Sequence, residues 1–335
     1  MAQPVAVYTD AAEEHLATRR ACGLFDFSFM GHFEVAGGAA RAFLDRLQTR
    51  NLSALAPGRI CYTLLLRPDG TVFVDATLWC LARDRYWLFT GRPSDFGFVA
   101  EAVRERDVVL RNLSGANAVL AVQGPESARV LARHLGVPLG IPYFGFRAAS
   151  LAGLPVAIGR IGYSGELGYE LIVRADAAGV LWRRLAADAR ECGFDAANSL
   201  RIESGYVLFA NELAGPVNPF ELGLGRLVSF DGRAFTGSQA LRAQRWRAPA
   251  RLLVGLDGLA RRSAAALCRL PCAEVTSRAR SPTFGCELAL GFVPAEAAAP
   301  GTLVSSADAE LARVCRLPFV DPARLLPRCA TTGFA

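Results

Sequence analysis

Apolar positions recur along the chain in two rhythms, and the texture changes near residue 240. Residues 11–22 (AAEEHLATRRAC) and 38–50 (GAARAFLDRLQTR) carry apolar side chains at helical spacing, the second with Ala42, Phe43, Leu44 and Leu47 on its core side. Between them LFDFSFMGHFEVAG alternates apolar with polar residues, which predicts strand, turn, strand. A meander follows, with strands over 61–67, 71–81 and 86–91. Pro68-Asp69-Gly70 and Ala82-Arg83-Asp84-Arg85 supply its turns. Next come a helix over 95–105, short strands at VVLRNLS and AVLAVQG, and a helix at 125–136. Strands near 154–161 and 168–174 and a helix at 177–192 complete the body. Beyond about residue 240, RLLVGLDGL, CAEVTSRA, CELALGFVP and ELARVCRLPF are short strands punctuated by Gly, Pro and Ser, with AEAAAPG (295–301) as a loop. That pattern predicts a small β-barrel after an α+β body.

Composition narrows the chemistry. The 335 residues are 52% hydrophobic, enough for two or three domains with substantial cores. All 37 basic residues are arginines. Without lysine there is no Schiff-base chemistry and no phosphate-cradling GK[ST] loop. A net charge of +6 can attract nucleic acid, but the arginines are scattered rather than interleaved with aromatics, so nucleic acid is not expected and a small polyanion is an equally good partner. Nine cysteines form no CxxC pair, and MAQPVAVYTDAAEEH lacks a charged-then-apolar signal pattern, so a reduced cytoplasm is expected. The three histidines (His15, His32, His134) lie far apart, which supplies a metal site or a Ser-His-Asp triad poorly. Apolar runs are broken by Arg, Gly or Pro, so no membrane span is expected.

Three places could carry chemistry. Asp75 lies mid-strand in TVFVDATLW, on the face shared by Phe73, Thr77 and Trp79, where burying a carboxylate without a partner is costly. It is either a working group, or an Asp on a solvated sheet face or in a salt bridge with one of the many arginines. GYSGELGYEL (162–171) leads a glycine-rich turn into a strand bearing Glu170. The glycines permit close backbone approach to a ligand, and a strand carboxylate can accept two parallel hydrogen bonds from a planar donor pair; a tight hairpin with a structural Glu is the alternative. In NSLRIESGYVLF (198–209), Arg201 and Glu203 suggest a buried ion pair that organises the core. QGPE (123–126) reads as a strand-to-helix turn.

In order, these segments resemble the glycine-cleavage T-protein (aminomethyltransferase) family. The match runs through GLFDFSFMGHFEVAG, FLDRLQTRNLSALAPGRICYT, RPDGTVFVDATL, AVQGPES, GYSGELGYEL, NSLRIESGYVLF, NPFELGLG, FTGSQAL and EVTSRARSPTFGCELALGFV, from about residue 10 to 325. The resemblance implies an α+β, cloverleaf-like folate-binding fold with ferredoxin-like α/β domains and a C-terminal β-barrel. It divides the chain into a discontinuous central α/β domain (1–33 plus 129–240), an α/β domain with an antiparallel meander (34–128), and the barrel (241–328). It implies tetrahydrofolate as cofactor and a tetrahydrofolate-dependent one-carbon transferase. It implies as one-carbon source a small aminomethyl or methylated donor, either free or delivered by a lipoyl carrier protein. Asp75 falls on the second Asp of the family's DD pair, the catalytic carboxylate beside the reactive folate nitrogens. Glu170 falls on the Glu that grips the pterin. Met30, Tyr62, Tyr143 and Tyr163 fall on positions lining the folate pocket. A carboxylate so placed can stabilise a cationic carbon–nitrogen species and take a proton.

The chain departs from the pattern at several points. Phe29 stands for the family's His, Val74 for the first Asp, Ala197 for a folate-binding Arg and Arg226 for a Trp, and the family's first short segment has no counterpart. RLPFVDPARLLPR is closer to the folate domains of sarcosine and dimethylglycine demethylating enzymes. The alternative is a non-catalytic regulatory or assembly protein that keeps the T-protein fold. An iron–sulfur assembly branch would carry KGCYxGQ where this chain has GYSGELG.

Overall fold

A computed structural model describes residues 3–104, 106–263, 267 and 269–329. Its strands form two open sheets and a closed barrel. The first sheet runs Arg190–Glu191, Gly23–Asp26, Asn117–Gln123, Gly168–Arg174, Leu154–Gly159, Phe146–Leu151. The second is wholly antiparallel and runs Arg59–Leu66, Val72–Ala82, Arg85–Thr90, Gly31–Ala36, Val109–Asn112. The barrel contains Arg251–Arg261, Cys286–Pro294, Cys272–Ser281, Leu303–Ser306 and Glu310–Cys315, and the first of these pairs with the last to close it. The α+β body and barrel tail expected from the sequence are therefore present.

Alternation decides which side of each open sheet is covered. On Gly168–Arg174, Tyr169, Leu171 and Val173 pack with Leu131, Leu181 and Leu185 of the helices Ser127–Leu135 and Ala175–Leu185. On Val72–Ala82, Val74, Ala76 and Leu78 pack with Phe43, Leu44 and Leu47 of Ala40–Leu47. The uncovered sides of the two sheets meet. Phe25, Ala121 and Ile172 from the first join Ile60, Trp79 and Phe89 from the second in one buried cluster. A Cβ placed on Gly159 would lie 2.2 Å from the Trp79 ring, so glycine is what allows the sheets to approach there.

Several expectations need correction. The predicted boundaries at residues 33 and 128 cut across the sheets. Gly31–Ala36 belongs wholly to the second sheet, and Asn117–Gln123 sits in the middle of the first, hydrogen-bonded to both Gly23–Asp26 and Gly168–Arg174. The helix expected over 95–105 is only Phe96–Glu101 after a 3-10 turn at Pro93–Asp95. That expected over 177–192 is Ala175–Leu185, and Arg190–Glu191 then pairs parallel with Gly23–Asp26. Phe146–Leu151 went unanticipated because its one-sided burial is weak, as befits an edge strand. A β-bulge between Leu65 and Leu66 also changes the sidedness of Val72. Val72 packs with Leu64 and Leu66, while Phe73 joins the helix-covered cluster and stacks on Phe98 at 3.9 Å. Phe73 therefore does not share the face of Asp75.

Arg201 and Glu203 are both fully buried but do not pair with each other. Arg201 donates to Glu212 at 2.9 Å, and Glu203 takes Arg19 at 2.8 Å and His15 at 3.2 Å. On a helix these two positions diverge by about 200°, so each meets a different neighbour. His15 also bonds Ser199 at 2.7 Å and Thr283 at 2.9 Å, which makes a Ser–His–carboxylate cluster in the core that joins the first helix to the barrel. Replacing Arg201 with Met would leave Glu212 buried without its cation and should destabilise the fold by about 3 kcal/mol, visible as a lower denaturant midpoint with unchanged slope.

Candidate functional site

One large cavity, about 1010 Å³, opens where the inner faces of the two sheets meet the barrel. All six residues singled out from the sequence line it: Met30, Tyr62, Asp75, Tyr143, Tyr163 and Glu170. Its size reaches the upper end of small-molecule sites.

Asp75 arrives there by strand pairing. Tyr62 lies opposite Thr77, and Leu64 lies opposite Asp75, so the Tyr62 and Asp75 side chains are diagonal neighbours on one face. The Tyr62 hydroxyl donates to Asp75 Oδ2 at 3.0 Å. Burial pushes the Asp75 carboxyl up to about 6, against the opposing effect of that hydrogen bond. Burial and the adjacent carboxylate hold the Tyr62 phenol well above its ordinary range, so it remains a donor.

Glu170 comes from the facing sheet, between two small partners, Ala121 and Gly159. It is 7% exposed, and burial pushes its carboxyl up to about 7. Among the described residues none donates a hydrogen bond to it. A buried acceptor without a donor on a cavity wall is costly unless a ligand provides one.

The glycines of GYSGELG do something other than expected. A Cβ at Gly162 would sit 1.9 Å from Gln123 Oε1, and one at Gly165 (φ +82°) would sit 2.1 Å from Ser204 Oγ. They make room for the protein's own side chains, though Gly162 does line the cavity. Tyr163 donates to the Val207 carbonyl at 2.6 Å and stacks on Tyr206 at 5.9 Å. Tyr143 lies under the guanidinium of Arg328 at 5.7 Å.

Of the departures from the family pattern, Phe29 and Arg226 line the cavity, whereas Ala197 is 3% exposed in the core and does not. Phe29 makes edge contacts with Phe27 and Phe194 at 6.0 and 5.8 Å, which gives this part of the wall an aromatic character. Sequence reasoning missed Tyr206, Arg324 and Arg328, which also line the cavity. Tyr206 sits within ESGYVLF, but nothing local in the sequence marks it.

Comparison with known proteins gives a consistent picture. Residues 4–232 match the GCVT N-terminal domain, and residues 254–321 match the glycine cleavage T-protein C-terminal barrel domain. An aminomethyltransferase of Streptomyces coelicolor is 38% identical over 314 residues, 88% of this chain and 84% of that protein. One from Halothermothrix orenii is 34% identical over 336 residues, 93% of this chain and 92% of that protein. The crystal structure of the glycine cleavage system aminomethyltransferase T from Bartonella henselae superposes with a TM-score of 0.82 at 26% identity, covering 95% of both chains.

Proposed function

The chain belongs to the glycine-cleavage T-protein family of aminomethyltransferases, and from that premise we propose that it moves a one-carbon unit from a small aminomethyl or methylated donor to tetrahydrofolate held in the central cavity. The observation that carries this reading is the convergence of Asp75 and Glu170, from different sheets, on one cavity in which none of the described residues donates to Glu170.

The residues fit that ligand. A pterin edge offers a ring N–H beside an exocyclic amine, and Glu170 is an unsatisfied carboxylate able to accept both. Met30 and Tyr163 supply apolar and aromatic wall for a flat ring. When bound, tetrahydrofolate supplies the nucleophilic nitrogens of the reaction. Asp75 holds negative charge where a cationic carbon–nitrogen centre would develop, and it can take the proton released on transfer. Tyr62 fixes the orientation of that carboxylate.

The test is product formation. Methylated amines, ethers, sulfonium compounds and an aminomethyl-loaded lipoyl carrier are each supplied with tetrahydrofolate, and the one-carbon folate is quantified. A chain that binds no folate and forms no product with any of them overturns the reading. A narrower prediction concerns Tyr62→Phe. Losing the donated hydrogen bond removes something that favours ionised Asp75, so the acidic limb of turnover should move upward from about pH 6, by roughly one pH unit or less. Turnover measured across pH checks it.

A further inference from the structure

The stretch after the barrel, residues 316–329, runs back over the cavity as a strap. Phe319 and Val320 donate their backbone N–H groups to the Glu203 carbonyl at 2.9 and 3.1 Å. The buried Arg160 guanidinium donates to the carbonyls of Pro327 and Cys329. Asp321 and Arg324 take left-handed backbone angles (φ +48° and +53°), conformations that persist in non-glycine residues only where the surroundings impose them.

This path lays three arginines on the cavity wall, Arg316, Arg324 and Arg328, and the last two lie against tyrosine rings. The guanidinium of Arg324 lies 5.2 Å from the Tyr206 ring centre, and that of Arg328 lies 5.7 Å from Tyr143. Tyr206 in turn stacks on Tyr163 at 18°, so Arg324 and Tyr163 both contact Tyr206. Among the described residues neither guanidinium has a carboxylate within 4 Å. Two carboxylates line the whole cavity, against six arginines. A guanidinium lying on an aromatic face keeps part of its N–H edge available for a carboxylate.

We propose that the strap is an anion clamp in which Arg324 and Arg328 bind carboxylate groups of the ligand in the cavity. On the reading above, which this inference rests on for the ligand's identity, those carboxylates belong to the γ-glutamyl tail of the folate. A carboxylate-bearing donor such as an N-methylated amino acid shares the chemistry.

The experiment measures Kd by calorimetry at low salt for three probes: tetrahydropteroate, which has no glutamate, tetrahydrofolate triglutamate, and free tri-γ-glutamate. The proteins are wild type, the Arg324→Gln/Arg328→Gln double variant, and the Arg324→Lys/Arg328→Lys double variant, with melting curves to confirm folding. The clamp predicts that the Gln variant binds the triglutamate form roughly tenfold more weakly, with a flatter salt dependence, and binds tetrahydropteroate unchanged. The Lys variant, which retains charge, should recover part of the loss. If folate Kd is unchanged but KM rises for an N-methylated amino acid and not for the matching amine, the clamp stands with the donor's carboxylate as its occupant. A Gln variant equal to wild type for every carboxylate-bearing probe and donor overturns the clamp. A wild type that binds tri-γ-glutamate as tightly as tetrahydrofolate triglutamate, and does not bind tetrahydropteroate, sinks the folate reading and leaves the clamp. If no probe binds, both are lost.

Discussion

Replacing Glu170 with Ala is expected to weaken tetrahydrofolate binding about a hundredfold or more, read as Kd by calorimetry, while the protein stays folded. The side chain is buried on the cavity wall, and among the described residues nothing donates to it. A bound heterocycle that donates twice would therefore replace an unmet requirement, not an existing bond. Two hydrogen bonds to a charged acceptor contribute about 3 kcal/mol together, which is a factor of about a hundred. The pH dependence follows from the same burial. The free carboxyl sits at about 7 and must be ionised to accept from the ligand, so affinity should fall as pH drops below 7, by up to about tenfold per unit. Stability of the free protein runs the other way. The folded-state pKa is raised above the ordinary 4.5, so below both values there is no penalty, and the penalty grows as pH rises from 4.5 to 7. Glu170→Gln should therefore stabilise the ligand-free protein by roughly 3 kcal/mol at pH 8 and leave it unchanged at pH 4, as melting curves would show. Wild-type affinity in Glu170→Ala would remove Glu170 from the binding site altogether.

The two carboxylates were legible in the sequence because each interrupts an apolar strand, a local conflict that points to function. Met30, Tyr62, Tyr143 and Tyr163 came from the family resemblance, and the cavity gathers all of them. What stayed hidden was set by contacts between distant parts of the chain. The sidedness of Val72 and Phe73 depends on a bulge in pairing with Arg59–Leu66, which alternation within one strand cannot reveal. The partners of Arg201 and Glu203 were decided by Glu212, Arg19 and His15, brought in from other elements. Arg324 and Arg328 look like ordinary tail arginines until Arg160 and the Glu203 carbonyl hold the strap across the cavity. The helix-covered faces were readable from periodicity alone, whereas the inner faces, where the site lies, were fixed by how two sheets and a barrel come together.

Asp75→Asn should separate turnover from binding. The amide keeps the size of the carboxylate and can still accept from Tyr62, now 3.0 Å from Oδ2, so the cavity wall should stand and tetrahydrofolate Kd should change only a few-fold. The amide cannot take a proton and carries no charge to set against a developing cation, so kcat should fall about 10²–10⁴-fold. In the wild type, burial places this carboxyl at about 6 instead of the ordinary 3.8, and the ionised form is the working one. Wild-type turnover at saturating folate should therefore rise with pH through about 6 and level off, whereas the residual turnover of the Asn variant should lack that limb. The two acids are thereby distinguished by the quantity each controls: Glu170 through Kd and Asp75 through kcat. An Asn variant that turns over like wild type, with the same acidic limb, would assign the proton to another group and leave Asp75 as part of the wall.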